Sequence, residues 1–420
     1  MELMPGYKRS DIGVIPEEWD IRPLLSTVRI ANGQVSPRVE PYKSMVLVAP
    51  DHIESSTGKL LAKKTAAEQG AISGKYVFES GDIVYSKIRP YLRKAILADF
   101  SGLCSADMYP LKPATDISAR YILAVILGYR FSKYAESVSV RSGMPKINRT
   151  ELADFSLAVP LPPEQRAIAK ALSDADELLT TLDQVIAKKR DLKQAAMQQL
   201  LTGKTRLPGF FGEWQKKTLG ELGVTYGGLT GKTKSDFGVG TAKYVTFMNV
   251  MTNTVIDCAA CEQVNVSASE TQNRVLRGDL LFNGSSETPE EVAFCSLMAE
   301  EVPDLYLNSF CFGFRLFDDQ QVNGLFLTYY IRANPGREMM KSLAQGSTRY
   351  NLSKTALREA SVLLPLKDEQ VAIADVLSEM DAELIALEAR RDKTDNIKQA
   401  MMQELLTGKT RLVEPRGANA

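Results

Sequence analysis

The sequence predicts an α+β fold that is duplicated within one chain: two similar α+β domains, each followed by a long helix, with the two helices pairing as a coiled coil and with pseudo-twofold symmetry. The first observation is that residues 161–207 recur at 366–412, at a constant offset of 205 and without a gap. The second is that the octapeptide LLTGKTRL is identical in both copies. The third is that similar strand-like and helix-like segments precede each copy. Solenoid repeats have periods of roughly 20–50 residues, so this period indicates a duplicated half-molecule.

Length and composition are those of a large globular protein. The 420 residues are 44% hydrophobic and 24% charged. Basic and acidic side chains number 51 each, and the resulting zero net charge neither supports nor excludes a nucleic-acid partner, because such a partner needs only a local basic patch. The N-terminal segment lacks an apolar signal core, and no apolar run approaches ~20 residues. We therefore expect a cytoplasmic protein without a membrane span.

Five segments follow from the repeat. They are a first α+β domain at 1–160, a first long helix at 161–207, a second α+β domain at 208–365, a second long helix at 366–412 and a flexible tail at 413–420. The first domain has β-rich runs at 44–48, 76–78 and 82–85, and a helical stretch near 119–137. The second has predicted strands at 243–250, 279–282 and 310–317, and a helix near 325–345.

The two domains correspond at their edges and diverge in their interiors. Near the start of each domain, Trp19 matches Trp214, and near the end, Asn148 matches Asn351. Two domains that share a scaffold but differ in their variable parts suggest two related tasks carried out on different targets.

Each copy of the repeat predicts one long helix. Pro162 and Pro163 are tolerated at a helix start, and Gly203 supplies the stop. Apolar residues recur with heptad spacing in both copies, which predicts that the helices pair with each other. The pairing residues are Ile168, Leu172, Leu179, Leu182, Ile373, Leu377, Leu384 and Leu387. Further along, the seam turns polar at Lys193 and Lys398, so packing there is expected to be weaker or to serve another partner.

Four segments have the chemistry of nucleic-acid contacts. Residues 85–94, YSKIRPYLRK, interleave basic and tyrosine side chains without one acid; the alternative is a solvated strand and turn. Residues 141–149 and their counterpart 345–354 combine glycine with Arg, Lys, Asn and Ser; the alternative is a turn before a strand. Residues 227–243 form a flexible basic loop. The candidate DNA contacts are Lys87, Arg89, Tyr91, Arg93, Lys94, Arg141, Lys146, Lys232, Lys234, Lys243, Arg349 and Lys354.

Two other motifs give only weak evidence for a nucleotide site and for a metal site. Gly-Lys-Thr occurs three times, but a phosphate loop needs a glycine five residues earlier, where the chain has Gln198, Tyr226 and Gln403. Cys258 and Cys261 have metal-ligand spacing, but no second close cysteine pair accompanies them, so reduced, buried thiols are the preferred interpretation and no metal site is predicted.

These features together resemble the specificity subunit of type I restriction–modification systems. The resemblance rests on the duplicated frame around divergent domains, the run LPPEQ at 161–165 and the helix ending LLTGKTRL, and it covers nearly the whole chain. It implies two target-recognition domains, separated by an antiparallel pair of long coiled-coil helices, each domain reading one half of a bipartite, asymmetric double-stranded DNA target. It also implies that the long helices dock two methyltransferase subunits and, through them, restriction (translocase–nuclease) subunits. The second copy departs from the first by having Lys367 and Asp368 in place of the two prolines.

We expect no catalytic residue and no directly bound cofactor. The sequence lacks the Asn/Asp-Pro-Pro-aromatic motif of amino-methyltransferases and the Pro-Asp…Asp/Glu-x-Lys motif of common nucleases. By the resemblance, S-adenosylmethionine, ATP and Mg are expected on the partner subunits. Two alternatives stay open: the recognition half of a fused restriction–methylation enzyme, and a stand-alone DNA-binding regulator.

Overall fold

The computed structural model describes residues 5–140, 143–318 and 320–413, which divide between two compact units. The first unit joins the chain up to Asp183 with the chain from Ala389 onward, and the second is Gln184–Glu388. Each unit contains one α+β module together with part of both long helices. The predicted α+β class with two similar modules is confirmed.

The first unit is built on a four-stranded antiparallel sheet. Its strand order is Val28–Ile30, Met108–Pro113, Ile83–Ser86 and Ala95–Leu97. The other strands form a three-stranded sheet (Leu47–Val48, Gly102–Cys104, Tyr76–Phe78) and two pairs (Tyr7–Ser10 with Gly13–Pro16, Asp20–Pro23 with Ser156–Val159). Its short helices are Leu24–Thr27, Ala119–Leu127, Tyr129–Val138 and Arg149–Asp154, with 3₁₀ turns at Tyr42–Ser44, Pro50–His52 and Pro90–Leu92.

The second unit repeats this plan. Its four-stranded sheet has the order Gly223–Gly227, Cys311–Leu316, Leu280–Asn283 and Cys295–Leu297. A three-stranded sheet (Glu262–Val264, Phe237–Val245, Leu305–Leu307) and two pairs (Gln215–Thr218 with Ser361–Leu364, Ser285–Ser286 with Tyr350–Asn351) complete the strands. Its short helices are Leu219–Leu222, Phe247–Thr252, Gly324–Arg332, Asn334–Leu343 and Lys354–Glu359, with 3₁₀ turns at Lys234–Asp236 and Cys258–Ala260.

Both predicted single helices are broken into two. The helix near 119–137 stops at Gly128, whose backbone is extended at φ −73° and ψ 157°. A Cβ there would lie 3.1 Å from the carbonyl oxygens of Ala124 and Val125, so glycine permits this corner. The helix near 325–345 breaks at Ala333, because Pro335 occupies the first turn of the next helix.

Two further sequence predictions are corrected at caps. The strand predicted at 243–250 ends at Val245, because the Thr246 hydroxyl accepts from the amide of Asn249 and starts helix Phe247–Thr252. The match of Asn148 with Asn351 is also wrong in structural terms. Asn148 caps helix Arg149–Asp154, and the equivalent cap in the second unit is Ser353, so the offset of 205 holds at this point as well.

The long helices are Pro162–Leu200 and Lys367–Leu405, each of 39 residues. In the first copy the helix ends before Gly203, which lies in the following turn at φ +68° and packs against Trp214. Beyond that turn, Arg206 binds the buried carboxylate of Glu369, and at the corresponding place Arg411 binds Glu164. The repeated octapeptide thus attaches the end of one long helix to the start of the other.

The predicted pairing residues are mostly buried. Ile168 and Leu172 belong to the core of the first unit, and Ile373 and Leu377 belong to the core of the second. Leu179, Leu182 and Leu384 are also buried, whereas Leu387 is half-buried. Full burial of one such side chain stabilises the fold by about 1.5–3 kcal/mol, so these positions anchor the long helices on the modules.

The polar continuation of the seam forms ion pairs inside each unit. In the first unit, Lys398 Nζ lies 2.5 Å from Asp176 Oδ1. In the second unit, Lys193 pairs with Asp381, which also accepts the hydroxyl of Tyr329 at 2.7 Å. The helices run antiparallel within each unit, since contact positions rise along one helix as they fall along the other. The two lysines of the polar seam, Lys193 and Lys398, therefore each form an ion pair with an aspartate of the other long helix.

Candidate nucleic-acid interface

The structure brings two predicted basic segments of the first unit together. Ile83–Ser86 is a strand of the four-stranded sheet. The chain that follows it, at residues 87–89, pairs with residues 145–147. Arg89 N donates to Pro145 O at 2.8 Å, and Ile147 N donates to Lys87 O at 2.9 Å. This short ladder places Lys87, Arg89 and Lys146 on one structural element, and Arg89 and Lys146 are exposed. We call it the first ladder.

The loop next to the first ladder has a strained backbone. Arg89 and Arg93 both have φ of +47°, on either side of the turn Pro90–Leu92. Such conformations cost about 1–3 kcal/mol for a residue with a side chain, and they cluster at binding sites. Buried Pro90 anchors the turn, and Tyr91 is 51% exposed. The backbone thus holds a tyrosine out toward solvent between two arginines.

The ring of Tyr109 contacts two basic side chains at the first ladder. Lys87 Nζ lies 5.2 Å and Arg149 Cζ 5.7 Å from the centroid of its ring. Arg149 also donates to the Ala31 carbonyl at 3.0 Å and to Asn32 Oδ1. Burial raises the pKa of the Tyr109 hydroxyl. Sequence reasoning missed Tyr109, because it lies in a different strand and no local pattern connects it with the basic segments.

Two of the other described first-unit candidates have further contacts inside the unit. Lys94 donates its ammonium to the Pro50 carbonyl at 2.8 Å, so this charge is used inside the unit. Arg93 lines a cavity of about 460 Å³ whose wall includes Lys59 and Asp183. Arg141 lies outside the residues that the structure describes.

The second unit has an equivalent ladder, here called the second ladder. Ser285–Ser286 follow the strand Leu280–Asn283 and pair with Tyr350–Asn351. Gln345 and Asn351 exchange two backbone hydrogen bonds of 2.9 and 2.8 Å, which close a hairpin. Arg349 projects from this hairpin with its Cζ 5.6 Å from the Phe310 centroid. Lys354 is exposed in the first turn of helix Lys354–Glu359.

The basic loop of the second unit is only partly free to bind DNA. The side chain of Lys232 is 6% exposed, and its Nζ lies 2.6 Å from a carboxylate oxygen of Glu270. The hydrogen bond from Lys232 lowers the pKa of Glu270 to about 2. Lys234 and Lys243 are exposed, the first in a 3₁₀ turn and the second in the strand Phe237–Val245. Two of the three predicted lysines in this loop therefore face solvent.

Two half-buried arginines bind distant backbone carbonyls, and one of them, Arg337, contacts the acidic loop 287–291 that follows the second ladder. Arg337 donates to the carbonyls of Glu290 and Val292, and burial lowers its pKa to about 10. Arg332 donates to the carbonyls of Val250 and Asn253 and to others nearby. No local pattern marks these roles, because each arginine satisfies backbone groups more than 30 residues away.

The cysteine thiols lie in surroundings that disfavour the thiolate form. Burial raises the pKa of the Cys261 thiol to about 11 and of the Cys295 and Cys311 thiols to about 12. Within the described ranges, no group of three or more His, Cys, Asp or Glu residues is arranged to hold a metal ion. In the same part of the chain, no helix is both long and apolar enough to cross a bilayer.

Comparisons with known proteins agree on one family. The family model described as type I restriction modification DNA specificity domain matches residues 40–189 and 212–398, one match for each half of the duplication. The type I restriction enzyme EcoDI specificity subunit of Escherichia coli is 32% identical over 201 residues. That alignment covers 47% of this chain and 44% of the E. coli protein, so it spans less than half of that relative.

Two other similarities extend over nearly the whole chain. A putative type I restriction enzyme MjaX specificity subunit of Methanocaldococcus jannaschii is 24% identical over 97% of both chains. The crystal structure of a type I restriction–modification S subunit from M. genitalium has a TM-score of 0.58 at 14% identity, and it covers 96% of this chain and 99% of its own. At that identity the structural similarity shows a shared fold.

Proposed function

Because this chain belongs to the family of type I restriction–modification DNA specificity domains, we propose that it is the DNA-recognition subunit of such a system and reads a split DNA sequence, one half with each unit. The observation that carries this proposal is the repeated ladder. In each unit the segment that follows the third strand of the four-stranded sheet pairs with a segment near the end of the module, and each of the two ladders carries exposed basic side chains.

The proposed contacts follow from exposure and from existing partners. In the first unit we assign DNA contact to Lys87, Arg89 and Lys146, with Tyr91 and Arg93 in the adjoining loop. In the second unit we assign it to Lys234, Lys243, Arg349 and Lys354. Lys94 and Lys232 are left out, because a carbonyl and a carboxylate already use their ammonium groups. Basic side chains at these places would neutralise phosphates and supply hydrogen bonds to base edges.

The long helices have two roles in this proposal. They set the distance between the two half-sites, and their outer faces dock two methyltransferase subunits, through which restriction (translocase–nuclease) subunits join. A helix of 39 residues is about 58 Å long at ~1.5 Å per residue, which corresponds to roughly 17 base pairs of DNA. Two short half-sites with an unread spacer fit within that length.

The chain is proposed to carry out no bond chemistry itself. Its sequence lacks the motifs of amino-methyltransferases and common nucleases, which supports a division of labour between recognition here and catalysis on the partners. S-adenosylmethionine, ATP and Mg would then bind to the partner subunits, in the cytoplasm.

The test is to express the chain with the methyltransferase encoded beside it and to map modified bases across the host genome by single-molecule sequencing. A motif of two short specific halves around a fixed unread gap is the expected result. A continuous motif would mean that one unit alone reads sequence. An assembled complex that leaves every base unmodified would overturn the proposal.

A further inference from the structure

Phe310 presents its ring to solvent from a turn that the backbone holds in place. The residue is 58% exposed. Its amide donates to Asn308 Oδ1 at 2.9 Å, and its carbonyl accepts from Gly284 N at 2.9 Å. A Cβ on Gly284 would lie 3.0 Å from that carbonyl oxygen, so a glycine is needed for the approach. The aromatic ring is therefore fixed beside the second ladder.

Arg349 lies over this fixed ring. Its guanidinium carbon is 5.6 Å from the ring centroid, a cation–π distance, and the side chain is exposed. Its position is set by the closed hairpin, in which Asn351 Nδ2 also donates to the Arg349 carbonyl at 3.2 Å. Among the described residues no carboxylate lies within ion-pair distance of its guanidinium. A stacked guanidinium keeps the N–H groups of its edge available for hydrogen bonds.

Other arginines of the second unit are already used inside the fold. Arg315 binds Asp279 through two hydrogen bonds of 2.8 and 2.7 Å, and Arg332 and Arg337 donate to backbone carbonyls. Their donors hold the module together. Arg349 differs from them in having a positioned guanidinium that faces solvent.

The two ladders carry their arginine on opposite strands. The backbone register matches Ile88 and Lys146 with Ser285 and Asn351. By that register Arg89 corresponds to Ser286, and Met144 corresponds to Arg349. Each ladder therefore has one exposed arginine, which comes from the strand exit in the first unit and from the hairpin in the second. Both ladders therefore expose an arginine, although it comes from a different strand in each unit.

Resting on the proposed function, we infer that Arg349 reads a guanine in the half-site of the second unit and that Phe310 is its positioning residue. The planar fork of arginine donates two parallel hydrogen bonds to O6 and N7 of guanine in the major groove. Lysine carries the same charge but lacks the rigid planar fork, so it should discriminate guanine less well, whereas a phosphate contact would accept either residue. The cation–π contact with Phe310 favours a guanidinium position beside the second ladder in the absence of DNA.

The test compares genome-wide methylation by the complete complex with the adjacent methyltransferase for the wild type and four variants. R349K removes the fork and keeps the charge, and F310L removes the aromatic platform. F310Y keeps the platform and is the conservative rescue, while R358K changes an exposed arginine elsewhere in the second unit. In R349K and F310L we expect one guanine of one half-site to become degenerate, while the other half-site and the gap stay unchanged. F310Y and R358K should give the wild-type motif.

A binding measurement makes the same test without methylation. In duplexes of the mapped motif, each guanine is replaced in turn by 7-deazaguanine, which lacks the N7 acceptor. At one position the wild-type complex should lose about 10-fold or more in affinity, and R349K should lose markedly less on that replacement.

The outcomes separate the inference from the proposed function. An unchanged motif in R349K, or a uniform weakening at all sites without loss of base preference, would overturn the assignment of Arg349 while leaving the split-site function intact. A relaxed position in R349K together with a wild-type motif in F310L would overturn the role of Phe310. A wild-type complex that gives no split motif would instead overturn the proposed function.

Discussion

The indole of Trp19 donates a 2.9 Å hydrogen bond to Glu164, a carboxylate at the start of the first long helix that also binds Arg411. Glu164 is 1% exposed, and the side chain of Arg411 is 14% exposed. The last described turn of the chain is thereby fixed to a position 247 residues earlier. A buried charge that depends on one arginine makes this contact sensitive to substitution.

The first prediction concerns this contact. Replacing Arg411 by alanine would leave the carboxylate of Glu164 buried and without its cation, and should destabilise the chain by about 3–5 kcal/mol. Denaturant unfolding of the full chain measures the change. The matched control is K409A, two residues away on an exposed side chain, which should stay within about 0.5 kcal/mol of the wild type. Equal stability of R411A and K409A would contradict a structural role for the pair.

The second prediction concerns the first ladder and its loop. Replacing Lys87, Arg89 and Arg93 together by alanine should weaken binding to the first half-site by at least ~10-fold. It should also make the salt dependence shallower by about 1 for each phosphate that the variant no longer neutralises. Titration of the methyltransferase complex on target duplex at several salt concentrations gives both numbers. K63A, a change at an exposed lysine elsewhere in this unit, is the control. Unchanged affinity at matched salt would remove this loop from the interface.

The third prediction concerns the ion pair between Lys398 and Asp176. The side chain of Lys398 is 8% exposed, so its ammonium depends on the carboxylate more than a surface lysine would. A double-mutant cycle with K398M and D176N should give a coupling free energy of about 1–3 kcal/mol. The exposed helix pair Lys170–Asp174 is the control, for which about 0.5 kcal/mol or less is expected. A coupling no larger than that of the control pair would count against the structural role.

The fourth prediction concerns thiol reactivity. Burial raises the pKa of Cys261 to about 11 and also raises that of Cys258, so both are protonated near neutral pH. Because the thiolate is the reactive form, alkylation of the folded chain at pH 8 should be slower than that of free cysteine. The rate at Cys261 should rise about tenfold per pH unit until the pH approaches the pKa of about 11. Fast labelling at pH 8, measured by mass spectrometry, would contradict the buried environment.

The fifth prediction concerns the spacer role of the long helices. Inserting four residues into each long helix adds about 6 Å, which is roughly two base pairs, and should widen the unread gap without altering either half-site. Methylation mapping of the lengthened chain measures both features. Inserting the same four residues into one helix only is the control, because it breaks the antiparallel register and should abolish methylation. A changed half-site would contradict the division of labour between helices and modules.

The fold was predictable where its cause is local or repeated. The two long helices follow from apolar periodicity and from a duplication without gaps, and their observed bounds keep the offset of 205. The break at Gly128 was missed, because a single helical stretch and two helices around a corner have nearly the same local propensity, and only packing reveals the crowding of carbonyl groups at that corner. The break at Ala333 does have a local signal, Pro335 in the first turn of the next helix.

The amino-acid order alone was enough to predict the duplicated architecture, the long helices and the basic character of the segments near 87 and 349. Which basic groups are available to a ligand emerged only on folding, since that depends on partners distant in the chain. Lys232 is neutralised by Glu270, 38 residues away, whereas Arg349 is exposed and makes a cation–π contact with Phe310. A charge becomes a binding group or a structural one because of the groups that folding brings within a few ångströms of it, and sequence spacing does not report that distance.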